Sequence, residues 1–390
     1  DYQKEDLLFS RIAGRRSETV ADELPEGLYE KIDALTGKFL ENKKPIIEKY
    51  RKTVRAAVTR KTFDTNRGRI KGLIVNVIEL LYRLENRSVA LRDLKPDNMY
   101  IGAALDGADH ILADPEAYDL GLIDLETAVY FEGDAADQMP QPLLAGTPAY
   151  ATPSHIFSNK ILHALYKTDL PVIFQMQDWY AAIVIIYYVV CGRLPFYKTA
   201  KLLPEISRLK KKNAARASTQ LEIYKTSSQR FWQTATQELE EKLQKNRKRL
   251  QNIEVELPRH LAGCLDQWAV RERERIEQMV AVCIKSRPSV EKYRKRLQQA
   301  SHAAVEKNIQ QITGTDKARG DLAHVLFRIE PLKRQQERLS TVSRQLKEPM
   351  ACDALLSFLF DRVFYAMHRP YWADLKSQLT GHDLQERERH

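Results

Sequence analysis

Asp93, Lys95 and Asn98 crowd into the short run RDLKPDN (Arg92–Asn98), around a single proline. Moving a phosphoryl group asks for little covalent chemistry from a protein. It asks for a carboxylate to orient the attacking hydroxyl, a cation to meet the phosphate charge, and oxygen ligands for magnesium. Asp93 is suited to accept the hydroxyl proton and Lys95 to reach the transferred phosphate. Asn98 offers an uncharged oxygen of the kind magnesium takes, and Pro96 stiffens the loop between them. A second carboxylate, Asp124, ends the apolar run GLID and suits a main metal ligand. Taken alone, such a loop also reads as a solvated turn.

The neighbouring residues predict how the loop is held. Before it, IKGLIVNVIELLYRL (Ile70–Leu84) is apolar nearly all round and predicts a core helix. After it, NMYIG (Asn98–Gly102) and YDLGLID (Tyr118–Asp124) predict two short strands joined by a turn-rich insertion. Pro140 to Ser154 is proline-rich and predicts an extended loop. Asp178–Cys191 predicts a buried helix closed by Gly192. Its apolar run Ala181–Gly192 falls short of the roughly 18–20 residues that a bilayer demands, so no transmembrane segment is expected.

RDLKPDN resembles the catalytic loop of eukaryotic-type serine/threonine protein kinases. Further resemblances follow in that family's order. LIDLE (Leu122–Glu126) is similar to the strand and metal-binding turn usually written DFG. AGTPAYATPS (Ala145–Ser154) is similar to the end of the activation segment. DWYAAIVIIYYVVCGRLPF (Asp178–Phe196) resembles the long buried helix of the large lobe, and KSRPSVEKYRKRL (Lys285–Leu297) the closing turn and helix. The resemblance covers roughly residues 1–200 and 262–300. It implies a mainly α fold, a kinase-like large lobe with short β-hairpins. It implies Asp93 as catalytic base, Lys95 as the lysine that meets the phosphate of ATP, and Asn98 and Asp124 as holders of Mg2+. Arg92 would link the catalytic loop to the activation segment, Thr147 would bond toward Asp93 and Lys95, and Asp178 would brace the loop's backbone. Lys95 and the GTPAY run set the chain apart from antibiotic- and choline-type kinases, whose loops resemble HGDLHxxN.

The supporting residues depart from the family pattern. Leu91 stands where a histidine is usual, keeping the packing and losing a bond to the metal-binding turn. Leu125–Glu126 replaces Phe–Gly: leucine is expected to fill part of the Phe pocket, and Glu126 cannot adopt positive φ as freely as glycine. Thr152–Pro153–Ser154 lacks the glutamate that normally pairs with the arginine of the closing motif, here Arg287, which must find another partner. Between Thr127 and Thr147 there is no Ser or Thr, and Tyr130 is the one phosphorylatable residue. Glu132, Asp134 and Asp137 are expected to stand near Arg92 in place of a phosphate. The gap from Asp93 to Asp124 is longer than usual. No GxGxxG and no VAIK-like strand occurs in the chain, and DYQKEDLLFSRI at its start resembles the hinge. The small ATP-binding lobe is therefore expected to be cut away or missing, leaving this chain alone a poor binder of ATP.

The rest of the sequence is helical and basic. Net charge is +10, and residues 201–260 carry 14 Lys/Arg against 7 Glu and no Asp. That excess supplies most of the net charge. Trp232, Leu239, Leu243, Leu250, Ile253 and Leu257 form a heptad-like seam ended by Pro258. A second seam runs Leu322, Val325, Ile329, Leu332, Leu339, Val342, Leu346. Both predict helical hairpins or coiled-coil arms. The expected organisation is a first large-lobe part (1–200), a basic helical insertion (201–261), the closing helices (262–300) and a helical C-terminal extension (301–390). Four scattered cysteines without metal spacing read as thiols of a reducing, cytoplasmic compartment. The reading is an ATP-dependent protein Ser/Thr kinase acting on a protein substrate. Its alternative is a pseudokinase scaffold that binds protein partners through the fold and the arms 201–261 and 301–390. A third reading docks the basic arms on nucleic acid or an anionic surface.

Overall fold

A computed structural model describes residues 28–102, 118–131, 141–142, 146–213, 217–311 and 317–368. The chain is mainly helical, with short two-stranded antiparallel sheets. It divides after Arg67 into two compact units. In the first, α1 (Leu28–Thr65) is one long basic helix with Pro45 inside it.

The second unit begins at Gly68, within α2 (Arg67–Asn86), which buries Ile70, Ile74, Val75, Val77, Ile78 and Leu81. A turn with Ser88 at φ 55° leads into β1 (Val89–Ala90). Next come β2 (Met99–Gly102), β3 (Asp119–Leu122) and β4 (Val129–Tyr130). The two predicted strands pair as β2 with β3, Met99 opposite Leu122 and Gly102 opposite Asp119. β4 returns to pair with β1, Val89 opposite Tyr130. Together the two ladders set the start and end of the 91–98 loop beside the turn at Asp124.

Beyond them lie α3 (Asn159–Tyr166) and α4 (Leu170–Cys191). The central helix α4 is apolar on all faces and buries Ile173, Phe174, Trp179, Tyr180, Ala182, Ile183, Val184 and Ile186. Each buried Val, Ile or Phe side chain among them contributes about 1.5–3 kcal/mol. The helix begins earlier than the sequence predicts, at Leu170, and closes on Gly192 at φ 69°, whose N–H bonds to the Tyr188 carbonyl at 2.7 Å. Counted from Asn159, the helical run through Cys191 is long and apolar enough to cross a bilayer, which corrects the expectation that no segment reaches that length. Its most apolar window is 78% buried inside the protein, as a core helix would be.

The remaining elements follow in chain order. They are α5 (Tyr197–Lys212), α6 (Ala217–Lys245), α7 (Arg247–Gln251) and β5 (Glu254–Val255). Then follow α8 (Arg259–Lys285), α9 (Pro288–Glu291), α10 (Arg294–Gln299) and α11 (His302–Gln311). α12 (Lys317–Gln345), β6 (Met350–Ala351) and a last helix, α13 (352–368), end the described chain.

The first heptad-like seam is not an extended coiled-coil arm. Its helix stops at Lys245, and the seam continues into β5, which pairs with β6. Trp232, Leu239, Leu250 and Ile253 are buried, with Trp232 edge-on to Tyr180 of α4 and to Phe360 of α13. The buried Glu238 carboxylate of α6 caps α5, accepting the backbone N–H groups of Lys198 and Thr199 and the Thr199 hydroxyl. The second seam lies on α12, which runs antiparallel to α8: Arg273 reaches Ser340, Gln336 reaches Glu277, and Arg287 faces Asp321. Both seams are consumed by the chain's own packing.

Candidate active site

The loop after β1 is fastened to α4 by one buried carboxylate. Asp178 accepts the Leu91 N–H on Oδ2 and the Arg92 N–H on Oδ1, each at 2.7 Å. Burial pushes its carboxyl up to about 7, and those two backbone donors hold it back from rising further. Between them they fix Arg92 in the left-handed region, at φ 68°, a conformation that costs a non-glycine residue about 1–2 kcal/mol.

The Arg92 side chain goes into the core. It is 1% exposed, its Nε donates to Gln177 Oε1 at 3.0 Å, and its guanidinium lies 5.0 Å over the Phe174 ring. Burial lowers its pKa to about 10, with Asp178 opposing, so it stays charged at neutral pH. The expected partners Glu132, Asp134 and Asp137 lie outside the described residues. Toward the activation-like segment, the Arg92 carbonyl takes a hydrogen bond from buried His155. Burial, then the Arg92 charge, drops the His155 pKa to about 3, so its ring is neutral. His155 Nδ1 accepts the Thr152 N–H at 3.0 Å, which leaves Nε2 as the protonated nitrogen.

Around Asp93 the structure gathers four donors. Oδ2 takes Lys95 Nζ at 2.6 Å and Asn98 Nδ2 at 3.3 Å. Oδ1 takes both the backbone N–H and the hydroxyl of Thr147, each at 3.1 Å. Burial alone would raise the Asp93 carboxyl, but the bonds from Lys95 and Thr147 overcome it and hold it below the usual range. The hydrogen bond to Asp93 in turn raises Lys95, which also feels Asp124 and Asp97. Asn98 anchors the loop from its far end, its Nδ2 donating to the Asp93 carbonyl at 3.0 Å. Gly146 lets the Thr147 segment come this close: a Cβ there would meet Ala151 Cβ and His155 Cδ2 at 3.0 Å.

Asp124 reaches the site through the β2–β3 ladder, which the Ile123 N–H extends by bonding the Asn98 carbonyl at 3.0 Å. Asp124 itself sits at φ 63°, a region that aspartate tolerates better than most residues. Asp124 thus takes a positive φ in this turn, and Glu126, expected not to adopt positive φ as freely as glycine, is not among the described residues that have it. Leu125 is 54% exposed rather than filling a pocket, which corrects a second expectation. The bond expected to vanish with Leu91 is replaced by another: the Thr127 hydroxyl donates to the Leu91 carbonyl at 2.7 Å.

Arg287 and the position of the missing glutamate have separate partners. Ser154 is buried, its hydroxyl 2.8 Å from both Thr152 Oγ1 and Gln177 Nε2. Arg287 is 3.7 Å from Asp321 of α12 and is 38% exposed, so it is not a stranded buried charge. Asp321 also accepts the Ser289 hydroxyl at 2.7 Å.

The structure thus brings Asp93, Lys95, Asn98 and Thr147 into direct contact, sets Asp124 within electrostatic reach of Lys95, and turns Arg92 inward. Sequence reading missed Thr127, Ser154, His155 and Gln177. Gln177 had a signal, as one of few polar residues, with Gln175 and Asp178, in a largely apolar helix; the other three had none. Among the described residues no group of three or more His, Cys, Asp or Glu could hold a metal. Magnesium, which keeps several waters and takes one or two protein carboxylates with substrate phosphates, needs no such cage. An amide oxygen at Asn98 and the exposed carboxylate of Asp124 are a donor set that fits it. In comparisons with known proteins, no family model and no curated protein matches the chain.

Proposed function

We propose that this chain is the large, substrate-facing lobe of a protein kinase-like domain, and that the protein transfers the γ-phosphate of ATP to serine or threonine hydroxyls of a protein substrate. The observation that carries this reading is the Asp93 carboxylate, held by Lys95, Asn98 and Thr147 on a loop braced from the core by Asp178. In this arrangement Asp93 orients the attacking hydroxyl and takes its proton as the new bond forms. With its pKa held low, its main task is orientation. Lys95 swings from Asp93 to the transferred phosphate, freeing one carboxylate oxygen for the hydroxyl. Thr147 keeps the other oxygen in place. Asn98 and Asp124 would hold magnesium, which when bound neutralises phosphate oxygens. A cation held there would add its charge to that of Lys95, where the phosphate charge is largest.

No glycine-rich loop or strand lysine for the remaining phosphate and adenine contacts occurs in these residues. The assay is therefore run on the intact gene product, with magnesium, labelled ATP, and serine, threonine and tyrosine peptide pools. Label on serine or threonine that depends on Lys95, and is lost in Lys95→Ala, supports the reading. Transfer unaffected by Lys95→Ala would refute the role given to that residue.

The exposed turn Leu125–Glu126 favours a second reading, a scaffold that keeps the fold without the reaction. It predicts partner capture that survives Asp93→Asn and no phosphate transfer by the wild type.

A further inference from the structure

α1 lies outside the unit that carries the candidate site, and its surface is unusual. Ile46, Tyr50, Val54 and Val58 are 63%, 69%, 40% and 58% exposed. They recur every fourth residue, so they lie along one side of the helix as an uncovered apolar stripe. The surrounding residues Lys43–Lys61 carry eight Lys/Arg against one Glu and no Asp. At 3.6 residues per turn the stripe sweeps a sector of about 120°. Lys44 and Arg51 fall just past one edge of that sector, and Lys49 and Arg60 just past the other; all four are exposed.

We propose that α1 lies flat on an anionic membrane surface, with Ile46, Tyr50, Val54 and Val58 entering the headgroup boundary and the flanking Lys/Arg contacting acidic headgroups. Three observations select this occupant. A helix partner in a coiled coil asks for a seam that alternates three- and four-residue steps and stays straight. Steps of four throughout drift around the helix and give a broad face, which suits a plane better than a groove. A second copy of the chain would bring two strongly basic helices together, which like-charge repulsion opposes. Nucleic acid would use the charge but has no use for four exposed apolar side chains in register. An apolar sector rimmed on both sides by long basic side chains is the pattern of an interfacial helix, whose stems snorkel while the charges meet phosphates. The segment Lys43–Lys61 would cover about 28 Å of surface.

The test is co-sedimentation of the whole chain with vesicles of phosphatidylcholine alone, or of phosphatidylcholine with about one-third phosphatidylserine, where several adjacent basic residues act together. The expected result is at least tenfold stronger binding to the anionic vesicles, weakened by half-molar salt. The triple variant Ile46→Ser/Tyr50→Ser/Val54→Ser, at exposed positions, should lose at least tenfold, as should Lys49→Glu/Arg51→Glu/Lys52→Glu. A Tyr50→Trp variant should show a blue-shifted difference spectrum against wild type on anionic vesicles. Equal binding to both vesicle types, undiminished binding by the serine variant, or an unshifted Tyr50→Trp spectrum would overturn the proposal. So would binding to single-stranded oligonucleotide or polyglutamate without binding to vesicles.

Discussion

Asp178→Asn should separate the stability of the protein from the order of its candidate catalytic loop. The side chain is buried, and its carboxylate accepts two backbone N–H groups at 2.7 Å. Asparagine keeps one accepting oxygen and turns an NH2 toward the other N–H. One charge-assisted bond is lost, about 1.5–3 kcal/mol, and a buried donor is stranded, about 1–3 kcal/mol more. Against this stands a gain. Burial raises the Asp178 carboxyl from 3.8 to about 7 despite those two bonds, a penalty on the charged form that asparagine avoids. The two effects oppose each other in global stability. Locally they do not, because the N–H groups of Leu91 and Arg92 lose half of their anchor while Arg92 still sits at positive φ. A local loss of about 2 kcal/mol corresponds to about 30-fold faster amide exchange. Hydrogen exchange over residues 89–95 at pH 7.5, beside a thermal melt, measures both. The expected result is about 30-fold faster exchange at Leu91 and Arg92 with a melt within about 5 °C of wild type. Unchanged exchange there, or a large fall in the melt with exchange rising throughout α4, would refute the reasoning.

Thr127→Val keeps the shape and removes the hydroxyl that bonds the Leu91 carbonyl; urea unfolding should show a loss of about 1–2 kcal/mol, and no loss would mean that this bond does not replace the missing histidine bond. His155 is neutral in the folded protein down to about pH 3 but protonates near 6.5 when unfolded, so the unfolded state binds more protons between these values and stability falls as pH falls through that window. The raised carboxyl of Asp178 has the reverse slope between 3.8 and about 7, where the folded state binds more protons. His155→Gln removes only the first slope, so its stability should gain on wild type by about 1.4 kcal/mol per unit as pH falls from 6 to 4, and a constant gap in urea titrations would count against a neutral buried ring. Arg287→Ala removes a partly exposed pair and should cost less than about 1 kcal/mol, whereas a loss of about 3–5 kcal/mol would indicate a buried pairing.

The candidate loop was legible because its polar groups are contiguous. RDLKPDN names its own acid, base and amide, and strands flanked by turn residues announce the hairpin that carries Asp124. The bracing role of Asp178 was legible only through the resemblance of the predicted helix it opens, and the two bonds it accepts fit that expectation. Its neighbours were not legible. Thr127, Ser154 and His155 are ordinary loop residues, and their partners Leu91, Gln177 and Arg92 come near them only after α4 and the β1–β4 ladder are in place. Arg92 was expected, from the resemblance, to link this loop to the segment that follows; its side chain packs on Gln177 and Phe174 and its carbonyl meets His155, while Glu132, Asp134 and Asp137 lie outside the described residues. The two heptad-like seams left helical hairpins and coiled-coil arms open for a different reason. An apolar stripe at three- and four-residue steps marks a helix packed on a core as well as one packed on a partner helix. Here Trp232 faces Tyr180 and Phe360, and α12 faces α8. Where the sequence departs from the pattern it resembles, the fold supplies other bonds: Thr127 bonds the Leu91 carbonyl, and Asp321 pairs with Arg287 where Ser154 cannot.

The central claim rests on Asp93, and single-turnover transfer of labelled γ-phosphate by the intact protein and its Asp93→Asn variant tests it most directly. Asparagine preserves the shape and can still accept from Thr147, but it cannot take a proton or pair with Lys95. The account predicts serine or threonine phosphorylation by the wild type, slowed about 10²–10⁴-fold in the variant, with magnesium–nucleotide binding retained. Equal rates in the two proteins would contradict it.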